Sequence, residues 1–325
     1  MCTHESRKKH GRDRKGTQRW KCRTCGATFY TTEQRPLGDM RTDLDKAAAV
    51  LNMLLEGTSI RAASRISGVK ADTICDLIVL IGERCDRFLR ERIRGVQAAT
   101  IELDEIWDFI YCKRETAERK GFGSEFGDSW TWLAIDADSK MILSYAVGKR
   151  DEATGLEFLE RLNAATTGRC QVTSDGLSVY TYNVPLTLGS RVDFAQLVKT
   201  YASSQEETRY SPAKITSAEK VVRFGNPDED KISTSYAERL NLSVRMHCRR
   251  FTRLTNAHSK SVRHHEAMVA LFVAWYCFCR FNMALKTKTD PVPKTPAMRC
   301  GLADRRWTIQ ELLAAAANTT KTIAA

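Results

Sequence analysis

From Ala98 onward the hydrophobic period of this chain changes from helical to strand-like, and that change limits the fold classes open to it. Upstream, residues 43–56 carry Leu44, Ala47, Val50, Leu51, Leu54 and Leu55 on one stripe, the spacing of an amphipathic helix, with Gly57 as its stop. Thr58 or Ser59 caps a short second helix that runs through Arg65. After a turn at Ser67-Gly68-Val69, Asp72-Thr73 opens a long third helix with Ile74, Leu77, Ile78 and Ile81 inward. Downstream, residues 100–111 are rich in β-branched and aromatic side chains, and the stretch from Trp130 reads as a hairpin turning at 136–140. An amphipathic helix at 152–165 and strands at 170–174 and 191–199 come next. Residues 201–230 are polar, with Ser211-Pro212 and Gly225-Asn226-Pro227, and predict an irregular insertion. Helices at 235–253 and 258–285 close the pattern. The order predicts a multidomain chain of the α+β or α/β class, with a mixed sheet and flanking helices.

Charge narrows the partners. The chain of 325 residues has a formal net charge of +12 and a pI near 9.2, which suits a polyanion. With 42% hydrophobic residues it can bury a core. The longest uncharged apolar run, residues 267–279, is short of the roughly 18 residues that span a bilayer, so no membrane association is expected. Residues 1–35 are basic and polar, without the apolar segment of a secretory signal. Eleven scattered cysteines in that context predict reduced thiols and a cytoplasmic protein. Cys75, Cys85, Cys277 and Cys279 sit in apolar helical stretches as core filler.

Two cysteines stand apart. Cys22-Arg-Thr-Cys25-Gly26 is a knuckle, and Cys2 and His4 lie about twenty residues upstream. Two ligand pairs at this separation predict a structural Zn²⁺ in a zinc ribbon over residues 1–35, with His10 as a substitute for His4. Residues 40–95 then have the layout of a helix-turn-helix. Its second helix would turn Lys70, Ala71, Asp72 and Thr73 toward the major groove, although an ordinary helical bundle has the same spacing.

Within this basic chain three acids occupy chemically suggestive settings: Asp104 on a strand, Asp175 at the end of another, and Glu238 one turn inside a helix. Two strand carboxylates and one helix carboxylate can hold a pair of divalent cations, the arrangement that clamps both oxygens of a phosphodiester in an in-line displacement. Asp104 has a rival in Glu105, which alternation sends to the opposite face of the strand. Asp175-Gly176 also reads as a simple turn, and Ser235-x-x-Glu238 as a capping box. Asn241 and Arg245 share the helical face of Glu238, while Arg239, Arg249, Arg250 and Arg253 add positive charge to that helix and its end. Arg245 is either a grip for a phosphate beside the scissile one or a solvated surface side chain. His264-His265-Glu266 does not have the spacing of a metalloprotease helix and is expected to cap or solvate a helix start. Tyr180, Tyr182 and Tyr276 lack the basic cluster that a covalent phosphotyrosine mechanism needs.

The segments LDEIWDF, TSDGLSVY, YAERLNLSVRMHCRRFTRLTNAHSK and TPAMRCGLADRRW resemble the bacterial insertion-sequence-one family of DDE transposases. The resemblance spans nearly the whole chain, and its most specific piece is Glu238-Arg239-x-Asn241-Leu242 with Arg245. It implies a ribonuclease-H-like catalytic domain over 96–285 and an extension over 286–325. It selects Asp104 over Glu105, because Asp104-Glu105-Ile106-Trp107 matches the family's first signature. It implies Asp104, Asp175 and Glu238 as ligands of two Mg²⁺ (or Mn²⁺) ions per site, with Arg245 beside them and Asn241, Arg249 and Arg250 on DNA. The implied activity is hydrolysis at the element's ends, then attack of the freed 3′-hydroxyl on target DNA, with no covalent protein–DNA intermediate. The partners would be the terminal inverted repeats, target DNA and at least a second copy of the chain. The N-terminus departs from the family, whose ribbons often begin with CxxC where this chain has Cys2-x-His4. The rival reading is a non-catalytic zinc-ribbon and helix-turn-helix transcriptional regulator, which leaves the acid-bearing half unexplained.

Overall fold

The computed structural model describes residues 6–12, 18–30, 35–201, 215–253 and 255–319. At the N-terminus β1 (Arg7–Arg12), β2 (Gln18–Cys22) and β3 (Thr28–Tyr30) form a small antiparallel sheet in that order. The helices that follow match their sequence signals. α1 (Leu44–Leu55) is capped by Asp43, whose carboxylate accepts from the N–H groups of Asp45 and Lys46. α2 (Ile60–Ser67) is capped by Ser59 and stops at Gly68, whose φ of 71° lies in the left-handed region that glycine enters without strain. α3 (Ala71–Arg92) then runs for six turns.

The change of period at Ala98 opens a mixed α and β half. After a short β4 (Val96–Gln97) come β5 (Thr100–Ile110), α4 (Arg114–Lys120), β6 (Gly127–Asp136), β7 (Ile142–Gly148) and α5 (Glu152–Ala165). β8 (Thr166–Thr167), β9 (Cys170–Ser174), α6 (Ser178–Leu188), β10 (Val192–Tyr201) and β11 (Ile215–Phe224) complete the strands. The remaining helices are α7 (Ser235–His247), α8 (Val262–Phe278), α9 (Pro296–Arg299) and α10 (Ile309–Asn318). The main sheet has the order β11-β10-β9-β5-β6-β7. β9 runs parallel to both β5 and β10, and the other neighbours are antiparallel.

Several elements differ from expectation. β11 lies within the stretch read as irregular; nearly all of its residues are exposed, so neither face needed the apolar alternation that marks a strand. α6 was not anticipated because Pro185 interrupts its pattern, yet Tyr180, Val184 and Leu188 follow helical spacing into the core. α4 is a single polar helix with only Ala117 buried. The late helices are shorter than predicted: α7 ends at His247 and gives way to a 3₁₀ turn at Arg249–Phe251, while Ser261 caps the start of α8.

One hydrophobic core runs from Leu37 to Ala316, so the helical and sheet halves are fused. α8 is the joint. It packs against α3 so closely that a Cβ at Gly82 would stand 2.1 Å from the carbonyl oxygen of Ala267. α10 lies against α1, α3 and α8, and Trp307 stacks on Phe278 with ring centroids 4.9 Å apart.

Candidate active site

β5 and β9 bring two of the three predicted acids together. Glu102 on β5 is the register partner of Thr173 on β9, and two steps further along both chains stand Asp104 and Asp175. Parallel neighbours in register share a face, so these carboxylates lie side by side just past the carboxyl end of β9. Glu105 joins them: one carboxylate oxygen each from Asp104, Glu105 and Asp175 come within 4.8 Å of one another. Alternation alone would have separated Asp104 from Glu105. The Asp104 side chain instead turns back along its own strand, where Oδ1 accepts from the Glu105 N–H at 2.9 Å. Asp175 stands one residue beyond the end of its strand and is partly exposed. Its turn reading also holds, since Oδ1 accepts from the Leu177 N–H at 3.0 Å.

α7 is placed over this cluster by a residue that sequence reasoning missed. Buried Glu102 accepts from the N–H groups of Tyr236 and Ala237 at 2.7 and 2.9 Å, satisfying the first donors of the helix and its positive end. Its position two residues before Asp104, on the same strand face, was the available signal. With Glu102 in that role the predicted Ser235–Glu238 capping box does not form. Thr234 is the N-cap, and the Glu238 carboxylate instead accepts from the Thr234 hydroxyl at 2.8 Å and pairs with Lys199 of β10. Asn241, one turn on, donates from Nδ2 to Asp104 Oδ2 at 2.8 Å.

Burial raises the Asp104 carboxyl to about 7, with the charges of Asp175 and Glu238 pushing the same way. Burial and then Asp175 likewise lift Glu105 to about 7. Side-chain cations already sit on the cluster. Arg150 donates from Nε to Glu105 Oε2 at 3.1 Å and from Nη2 to Asp175 Oδ2 at 3.2 Å, and its guanidinium lies 4.8 Å from the Trp130 ring. The Tyr180 hydroxyl donates to the other Glu105 oxygen. Oxygen-only donors, crowded until two of them hold protons near neutrality, are the chemistry that a hard divalent cation relieves, so this donor set fits Mg²⁺ or Mn²⁺.

The other predicted residues divide. Arg245 is half-buried rather than solvated: Nη1 donates to the Phe251 carbonyl at 3.0 Å, and burial lowers its pKa. It lines a cavity of about 240 Å³ with Arg250 and Arg253, beyond Asn241 on α7. Arg249 is exposed, and Arg250 is half-buried against Ser259. On the second helix of the α2/α3 pair, Lys70 and Asp72 are exposed, and Ala71 and Thr73 are partly so. Cys22 and Cys25 sit on a tight knuckle, where the Thr24 N–H points at Cys22 Sγ at 3.3 Å and the Gly26 N–H donates to the Cys22 carbonyl at 3.1 Å. Cys2 and His4 lie outside the described residues, and His10 lies exposed on β1. His264 bonds to the capping Ser261, as expected of a helix start. His265, in contrast, is fully buried against Ser259, and burial drops its pKa to about 3.

No protein-family model matches the chain. The insertion element iso-IS1n protein InsB of Shigella dysenteriae is 25% identical over 181 residues, which span 56% of this chain and 98% of that protein. Among solved structures, the cryo-EM structure of the piggyBac transposase synaptic complex with hairpin DNA matches over 72% of this chain at 11% identity and a TM-score of 0.36. This chain spans 65% of that one, and the likeness is too loose to identify a shared fold. The resemblance to the insertion-sequence-one transposases, read from the motifs, is borne out by a relative aligned along almost its whole length.

Proposed function

We propose that the chain is a transposase that binds the ends of an insertion element and catalyses metal-dependent DNA strand cleavage and strand transfer. The carrying observation is the meeting of Asp104 and Asp175 at the carboxyl end of β9, beneath a helix that presents Glu238 and Asn241. Asp104, Asp175 and Glu238 would hold two Mg²⁺ or Mn²⁺ ions. Bound there, such ions supply charge stabilisation for the attacking and leaving oxygens of a phosphodiester. Glu105 is tied to Tyr180 and Arg150 and acts as a supporting acid. Asn241 fixes the orientation of Asp104. Lys199 and Arg150 hold Glu238 and Asp175 until a cation replaces them. Arg245 is placed to grip a phosphate flanking the scissile one.

The remaining parts serve DNA. The three-stranded N-terminal sheet carries Cys22 and Cys25 as half of a zinc site that Cys2 and His4 complete. Lys70, Ala71, Asp72 and Thr73 face the major groove of the element's inverted repeats, and Arg249 adds phosphate contact. Two ends handled together require at least a dimer.

The test is incubation of the full chain with Mg²⁺ and labelled element-end DNA, scored for nicked and joined products. Asp104→Asn, Asp175→Asn and Glu238→Gln are each expected to lower cleavage to under about a tenth of wild type while end binding persists. End-specific binding with no metal-dependent cleavage by the wild-type chain would overturn the enzyme reading in favour of a regulator.

A further inference from the structure

Two clefts meet at the Arg250 side chain. The smaller, about 240 Å³, has Trp107, Phe109 and Arg245 on its walls. The larger, about 900 Å³, separates the α2/α3 pair from the segment that leads into α8, with Arg61, Arg249 and Lys260 around it. Arg250, Thr255 and His258 line both, so the clefts adjoin. The first lies beside the strand of Asp104 and the helix of Glu238 and Asn241. The second reaches the α1–α2 turn, against which the end of α7 is pinned by His247 Nδ1 and the Leu55 carbonyl at 2.9 Å. Together they run from the helix pair to the far end of β5 and the last turns of α7, the two elements that carry Asp104 and Glu238.

The charge along this path is mainly positive. Among the described residues Asp108 is the one carboxyl on either wall; burial raises its pKa to about 7, and the charges of Arg245 and Arg250 oppose that rise. Arg250 itself donates from Nη1 to Ser259 Oγ at 3.0 Å and, among the described residues, makes no close ion pair, although the charge of Asp108 acts on it. A guanidinium removed from water with most of its donors unmatched is costly unless an anion meets it. Arg245 is in the same condition, with a backbone carbonyl as its partner. Apolar side chains stand among the cations: half-buried Trp107 and Phe109 in the first cleft, and Ile60, Ile78 and Met268, interspersed with hydroxyl and imidazole side chains, in the second. A duplex offers phosphates but keeps its base faces stacked inside. An unpaired strand offers both, and alternating cations and rings are what such a strand binds.

We propose that the joined clefts form a groove for a single DNA strand, with Arg245 and Arg250 on its phosphates and Trp107 and Phe109 against its bases. The groove would carry one strand from the α2/α3 pair toward the elements that bear the acids. This deepens the reading above and rests on the chain's acting on DNA.

The experiment uses the full-length protein in EDTA, so that no cleavage occurs, with a fluorescein-labelled mixed-sequence single strand and its matching duplex. Anisotropy titrations over a range of salt compare wild type with the double variant Arg61→Gln/Lys260→Gln, which alters exposed side chains alone, and with Arg250→Lys. The double variant is expected to bind the single strand about tenfold more weakly, with the log–log salt slope shallower by about 1.4, or 0.7 for each of two lost phosphate contacts. Its duplex affinity is expected to change less than about twofold. Arg250→Lys keeps the charge but loses the fork, and is expected to weaken the single strand preferentially. Unchanged single-strand affinity in the double variant, or equal losses on both DNA forms, overturns the groove. A wild type that cleaves element ends while the variants bind normally sinks the groove alone. A wild type that never cleaves, with single-strand binding lost in the double variant, keeps the groove and removes the enzyme.

Discussion

Metal affinity at the carboxylate cluster is expected to be steeply proton-linked. In the metal-free protein burial and mutual repulsion hold Asp104 and Glu105 near 7, so below that pH each must release a proton before its oxygens can serve a cation. The sign follows from the direction of the shifts. Both folded values lie above the ordinary 3.8 and 4.5, so the protonated carboxyls stabilise the metal-free fold on the acid side. That contribution is lost as pH rises through about 7. A cation therefore gains affinity as pH rises. Between pH 7.5 and 6.0, one required deprotonation at pKa 7 weakens binding roughly eightfold, and two weaken it about seventyfold. Calorimetric titration of Mn²⁺ at several pH values, repeated in buffers of different ionisation enthalpy, reads both the affinity and the protons released. An eightfold change with one proton released assigns Asp104 alone to the metal and leaves Glu105 with Tyr180 and Arg150. A seventyfold change with two protons makes Glu105 a ligand. The Mn²⁺-induced rise in Tm should be larger at pH 8 than at pH 6. An affinity constant within twofold from pH 6.0 to 7.5 would refute the premise that these carboxyls are the binding site.

Elemental analysis of the purified chain should find one zinc per molecule, lost in Cys22→Ser; zinc retained in that variant would dismiss the knuckle as a ligand pair. Gly82→Ala should destabilise the fold by about 1–3 kcal/mol in denaturant titrations, because its Cβ meets the Ala267 backbone at 2.1 Å; a neutral effect would mean that the α3–α8 contact is looser than described. Glu102→Gln should cost about 1–3 kcal/mol and lower cleavage at least tenfold without altering end binding, since it removes the charged acceptor at the start of α7. Normal cleavage in that variant would show that α7 needs no such anchor.

What could be read in advance follows a physical division. α1 and α3 were legible because each buries one stripe, and α2 because it runs from a serine cap to a stop at Gly68, although it buries Ala63 alone and leaves Ile66, expected inward, exposed. β5 was legible as a strand, but with both faces covered its period could not rank Asp104 against Glu105. β11 escaped because an exposed strand carries no burial pattern. The boundary near residue 95 was legible as a change of period, yet nothing local announces that Gly82 of α3 lies against Ala267 of α8. That contact has a practical consequence. Removing residues 1–94 would take away α1, α2 and α3 and leave α8 with an uncovered apolar face, so recognition of DNA ends is better probed by point changes such as Lys70→Glu.

Glu238 shows the same division within the site. Its local signal, a serine three residues before it, predicts a side chain folded back onto its own helix start. Such a cap would hold the carboxylate against its own backbone and away from Asp104. The fold assigns that duty to Glu102, a carboxylate on another element, whose two charge-assisted bonds to Tyr236 and Ala237 leave the first turn no need of Glu238. The freed carboxylate rests on Lys199 and Thr234, half exposed, where its charge is still felt by Asp104. An exposed ion pair of this kind is worth little and is exchanged readily for a stronger cation. The long-range contact thus determines whether the third acid is structural or available, and sequence spacing, which is local, had no access to it.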